Sequence, residues 1–291
     1  MADVRTNKGY IGGFIGVFGN LGLFALKLFI ALISGSVAIF ADAFHTLSDI
    51  LTSITVVVGF YFSSKAPDEK HPYGHGRAED VAALIIAIAL IFTATYVLYD
   101  SWIRMMNMKH LEVTNWVILV VVFTIIAKEA MARVVSKMGK DISSLALEAD
   151  AWHHRSDALT SAGVVVALIL ERVGIYAADA FMGFIIGIML IYLGINYSYK
   201  SINSLIGLHN EELLRKIKEE VSKIDGVVNP HNIKIHNYGT RVYISLHIEL
   251  AEDMKVSDAH RISEKVEETI KNLCEYECNV DVHVDILGCG D

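Results

Sequence analysis

Long apolar runs fill the first two thirds of the chain, and short alternating runs fill the last third. Six segments, near 10–33, 37–62, 79–106, 113–136, 144–172 and 177–206, read as membrane-spanning helices. Each approaches or exceeds the roughly 20 mostly apolar residues that a span requires. Ser34 opens a short Ser-Gly-Ser turn between the first two, and Ser63 to Arg77 reads as a polar loop. Beyond 208 the pattern predicts helix 211–224, strands 232–237 and 240–250, helix 257–273 and strand 279–286. Val242, Ile244, Leu246 and Ile248, then Val280, Val282, Val284 and Ile286, alternate with polar residues. That period of two marks strands with one buried face, so Val282 and Val284 are expected in the core. The organisation predicted is an all-α six-helix transmembrane domain over 1–207. A small α+β domain of order αββαβ, ferredoxin-like or metallochaperone-like, follows over 208–291.

Charge orients this arrangement. Arg5, Lys8, Lys65, Lys70, Arg77, Arg133, Lys137 and Lys140 fall at one set of helix ends, and only Arg104, Lys109 and Arg172 at the other. Basic residues are retained on the cytoplasmic side, so both termini are expected there, in a multi-pass protein of the plasma membrane. The first apolar segment has no small-residue cleavage site after it and reads as a retained span rather than a signal peptide. The net charge of −8 sits almost wholly in the tail, with 17 acidic against 10 basic side chains from Glu211 onward. Such a surface argues against nucleic-acid binding, which shows a basic footprint. Cys274, Cys278 and Cys289 lack zinc-knuckle spacing and are expected as reduced thiols.

Against this background two stretches stand out. ADAFHTLSD from Ala41 and ADAWHHRSD from Ala149 share six of nine positions and write Asp-x-x-His-x-x-x-Asp twice inside spans. Positions i and i+4 share a helix face, so His45 projects with Asp49, and His153 with Asp157. Ionisable groups inside a bilayer are costly and mark function. One such pair is equally a packing device between helices; two copies facing each other offer two nitrogens and two oxygens, a set that suits tetrahedral Zn²⁺. Asp42 and Asp150 lie one turn earlier and have three candidate roles: outer support, proton transfer or helix packing. His154 is about 100° round the helix from His153 and is left outside the site. The loop brings Asp68, His71 and His75 within eight residues, which reads equally as a polar loop or a small metal site. The tail offers His231, His247, His260, His283 and Asp285, with His283 and Asp285 sharing one strand face.

With these motifs the whole chain resembles the cation diffusion facilitators, proton-coupled exporters of divalent metal with six spans and a cytosolic metallochaperone-like domain. The resemblance implies that His45, Asp49, His153 and Asp157 are the four ligands of one transport site. It implies a second zinc site on Asp68, His71 and His75, expected to be weaker because a mobile loop must be ordered. It also implies a binuclear site on His231, His247, His260, His283 and Asp285 at a homodimer contact. Histidine at both first positions goes with zinc transport in the family, and imidazole favours zinc and its neighbours. Zn²⁺ is therefore the expected substrate, with Cd²⁺ and Co²⁺ as further cargo, zinc as a structural or regulatory ion in the tail, and H⁺ as counter-ion. A histidine or carboxylate binds metal only when deprotonated, which underlies exchange by alternating access. The alternatives are an Fe²⁺ or Mn²⁺ exporter of the same family, or a non-transporting membrane metal sensor. An intramembrane metalloprotease is disfavoured because no His-Glu-x-x-His occurs; no enzyme is expected. The link between the fourth and fifth spans lacks histidine, in keeping with a prokaryotic type. Gly207 stands where some relatives carry an acidic partner for the basic residue of the loop, so no charge lock on Arg77 is expected.

Overall fold

The computed structural model describes residues 2–34, 37–107, 115–172, 178–208, 211–238, 241–274 and 277–288. The side chains of several residues inside these helices, Asp42 and His45 among them, lie outside the described residues, as do His110, His209 and Cys289. Six long helices come first: α1 (Ala2–Ser34), α2 (Val37–Ser63), α3 (Ala78–Asn107), α4 (Asn115–Asp141), α5 (Leu145–Arg172) and α6 (Ala178–Ile206). Then follow α7 (Glu211–Val221), β1 (Pro230–Tyr238), β2 (Arg241–Leu250), α8 (Val256–Leu273) and β3 (Glu277–Ile286), the predicted αββαβ order. Contacts divide the chain into residues 2–64 with 78–202, and residues 65–77 with 203–291. The loop between α2 and α3 thus groups with the tail, whereas the sequence boundary at 207/208 leaves it with the helices.

The helical unit is apolar outside and polar inside. Phe18, Phe92, Leu119, Ile126 and Tyr192 are exposed, while Asn20, Lys27, Asp49, Ser53, Lys128, Asp150, His153, His154 and Ser156 are buried. That inversion suits a lipid solvent, in which polar groups must face the bundle interior. Among the described residues α1, α3 and α6 contain stretches long and apolar enough to cross a membrane. α5 falls short on composition because Glu148, Asp150, Arg155 and Asp157 interrupt its apolar run. α1 packs on α2 and α4 on α5, and α2 also touches α5, which brings the two Asp-x-x-His-x-x-x-Asp copies together. Close approach of α1 to α2 depends on Gly16, where a Cβ would sit 2.3 Å from Ser53 Oγ. Ser144 starts α5 by accepting the Leu147 N–H on its hydroxyl at 3.2 Å, a side-chain cap for an otherwise unpaired donor.

In the tail, β1 pairs antiparallel with β2 and β2 parallel with β3, the crossover being α8. Ile217 and Val221 of α7, Val266 and Ile270 of α8, and Ile235, Ile244, Leu246, Ile248 and Leu250 of the sheet form its core. One expectation fails here. Val280 is buried and Val282 half-buried, but Val284 is 38% exposed and Ile286 50%. The apolar stripe of α8 covers the first half of β3 and the core ends there. A second correction concerns the thiols: Cys274 and Cys278 are paired as a disulfide, their Cα atoms 6.4 Å apart.

Gly207 ends α6 at φ +97°, and a Cβ there would meet His236 Nδ1 at 2.9 Å. An L side chain in the left-handed region costs roughly 1–2 kcal/mol before any clash. Gly207→Ala should therefore lower the thermal midpoint of the chain; an unchanged midpoint would mean that this turn is free to rearrange.

Candidate metal centre

Asp49 on α2 meets His153 and Asp157 on α5, and one donor atom from each lies within 4.8 Å of the others. Asp49 Oδ1 stands 3.6 Å from His153 Nε2. Both residues are about 95% buried, and neither ring nitrogen of His153 has a hydrogen-bond partner among the described residues. A buried imidazole left unpaired is costly, and its nitrogens are free to hold a cation between two carboxylates. His45, the expected fourth ligand, lies outside the described residues.

A residue that the sequence reading passed over completes the charge balance. Lys128 of α4 donates from Nζ to Asp49 Oδ2 at 2.7 Å and to Asp157 Oδ2 at 2.8 Å. Its side chain is 2% exposed. Two adjacent carboxylates out of water need a compensating cation, and in this structure Lys128 supplies it. Its signal in the sequence is plain in retrospect: a lysine in the middle of a span falls under the same rule that singled out the two His–Asp pairs.

One turn away a second buried cluster forms. Ser53 donates to Asp150 Oδ1 at 3.2 Å, and His154 Nε2 lies 3.4 Å from Asp150 Oδ2. All three are fully buried. Of the roles open to Asp150, this contact supports helix packing: it ties α5 to α2 through a serine. His154 faces this cluster rather than the Asp49–His153–Asp157 group.

The loop residues also converge. Asp68 Oδ1 is 3.1 Å from His71 Nδ1, Asp68 Oδ2 is 3.5 Å from His75 Nε2, and the two rings are 4.4 Å apart. The loop is organised by its own backbone. Asp68 Oδ1 accepts the backbone N–H of Lys70 at 2.9 Å and of His71 at 2.7 Å. The His71 N–H, with smaller help from the His71 ring and the Lys70 N–H, holds the Asp68 carboxyl below its ordinary range. Tyr73 stacks on Tyr238 at 5.6 Å and meets Tyr243 edge-on at 5.0 Å. Arg77, as expected, is not locked to an acid at 207. It donates to the Leu205 carbonyl oxygen and lies 4.2 Å over the Tyr238 ring.

In the tail, three imidazoles line up across the sheet because His231 pairs with His247 and His247 with His283. A bulge between His231 and Lys234, with Asn232 in the left-handed region at φ 49°, sets the register that permits this. Asp285 closes the group. Its Oδ2 lies 2.8 Å from His247 Nδ1 and 3.5 Å from His231 Nε2, and its Oδ1 lies 3.3 Å from His283 Nε2. The His247 hydrogen bond leads in holding the Asp285 carboxyl below its ordinary range, so it is an anion throughout the physiological range. His260 is not brought in: it is exposed on α8 beside Glu264, at 3.5 Å.

Comparison with known proteins gives the family. Residues 13–206 match the cation efflux transmembrane domain, and residues 209–286 match the cytoplasmic domain of cation efflux proteins. The chain is 35% identical to the uncharacterized transporter MJ0449 of Methanocaldococcus jannaschii, covering 94% of this chain and 96% of that one. It is 28% identical to the cation-efflux pump FieF of Cronobacter sakazakii (85% and 83% covered). It is 27% identical to the manganese efflux system protein MneS of Bacillus subtilis (92% of each). The chain therefore belongs to the cation diffusion facilitator (cation efflux) family: it is a multi-pass membrane transporter of divalent cations with a cytoplasmic C-terminal domain, and not an enzyme.

Proposed function

We propose that this chain exports Zn²⁺ from the cytosol in exchange for protons, by alternating access at a membrane site formed by Asp49, His153, Asp157 and His45. The observation that carries the reading is the buried meeting of Asp49, His153 and Asp157, in which neither ring nitrogen of His153 has a hydrogen-bond partner among the described residues. Mixed nitrogen and oxygen ligands favour zinc and its neighbours over harder ions. Because each ligand must lose its proton to bind metal, proton entry from the far side drives release. In this reading residues 1–207 carry the metal, with both termini cytoplasmic in the plasma membrane. Residues 208–291 bind metal and hold a homodimer, where His260 of one copy is available to complete the other's His231–His247–His283–Asp285 group.

The reading is tested in proteoliposomes by metal flux and by lumenal pH, offering Zn²⁺, Cd²⁺, Mn²⁺ and Fe²⁺ in turn. Zinc flux at least tenfold above manganese, with protons moving oppositely, is expected. A second reading, manganese export, draws on the likeness to the manganese efflux system protein MneS, and manganese flux without zinc flux would favour it. For the tail, Asp285→Ala removes the acid shared by three imidazoles. Loss of a direct ligand should cost more than the 10–100-fold of outer-sphere changes, so more than about a hundredfold in zinc affinity there, measured by titration of the full chain; equal affinity would take Asp285 out of that site.

A further inference from the structure

Lys128 has a consequence beyond charge balance. Its ammonium engages the same two carboxylates, Asp49 and Asp157, that a metal between them and His153 would use, taking Oδ2 of each. Charge-assisted bonds of 2.7–2.8 Å are about as short and strong as such bonds become. Zinc would bind these carboxylates at about 2.0–2.2 Å. Two cations held on one pair of carboxylates repel strongly in a site that is almost completely buried. Lys128 also comes from α4, whereas the carboxylates come from α2 and α5, so its occupancy ties a third helix to the state of the site.

We propose that Lys128 is a tethered cation that holds the metal's place in the empty transporter. Arriving metal displaces its ammonium from Asp49 and Asp157, and the returning ammonium competes the metal off. The inference rests on the assignment of the transport site to these residues. Lys128 is thus a determinant of affinity and release: it keeps binding weak enough for the ion to leave, and it keeps the carboxylates neutralised while the carrier is empty.

The test uses the full chain with loop and tail ligands replaced (His71→Ala, His247→Ala, Asp285→Ala), titrated with Zn²⁺. Lys128→Gln and Lys128→Met should each tighten zinc binding at least tenfold and slow zinc release by a similar factor. Equal or weaker binding in folded variants would overturn the proposal. A second measurement needs no substitution at Lys128: acetic anhydride labelling of the native chain, read by mass spectrometry. Zinc should raise labelling of Lys128 several-fold, because the displaced amine leaves its carboxylates. Unchanged or reduced labelling would overturn the proposal even if both variants failed to fold. Asp157→Ala in the same background separates the two levels. If zinc still binds without Asp157, the site assignment itself fails. If binding is lost but Lys128→Gln does not tighten it, only the place-holder role fails.

Discussion

Asp157→Ala is expected to abolish metal flux while leaving a folded protein. Asp157 contributes one of the two carboxylates at the membrane site, and its oxygen lies 2.8 Å from Lys128. Removing it leaves Lys128 paired one-to-one with Asp49 at 2.7 Å, a balanced pair that does not strand a buried charge. The metal, by contrast, loses a direct ligand. Changes in a metal's outer sphere alone typically cost 10–100-fold in affinity or activity, so a direct ligand should cost more than about a hundredfold. Zinc uptake into proteoliposomes would fall to background, with a thermal midpoint near that of the native chain. Flux within tenfold of native would remove Asp157 from the path.

Asp150→Ala should do nearly the reverse. Asp150 lies seven residues before Asp157, two turns along α5, but its partners are Ser53 and His154. Its loss strands two buried polar groups, and each unsatisfied group costs about 1–3 kcal/mol. The expected result is a marked drop in thermal midpoint with zinc affinity at the membrane site within a few-fold of native. Lost zinc binding at full stability would move Asp150 into the metal's own sphere.

These contrasts show what the sequence made legible and what it did not. Spacing of four along a helix put His153 and Asp157 on one face without any structure, and the repeat at Asp49 pointed to a second half-site. Alternation placed β2 and the start of β3. What spacing could not show was which helices face one another across the bundle. Lys128 belongs to the site because α4 packs on α5, a tertiary fact with no local trace beyond a charge inside a span. The alignment of His231 with His247 depends on a bulge at Asn232, and the ordering of the Asp68 loop depends on two backbone N–H groups and on Tyr73 against the tail. The strand pattern also overreached at Val284, because alternation marks a face and not how far the covering helices extend.

The central claim is that the buried group of Asp49, His153 and Asp157 binds the transported ion. The most direct measurement is zinc stoichiometry on the full chain after His71→Ala, His247→Ala and Asp285→Ala have disabled the loop and tail sites. The account predicts one zinc remaining per chain, lost on adding Asp157→Ala. No zinc remaining in a folded protein, or one zinc indifferent to Asp157, would contradict it.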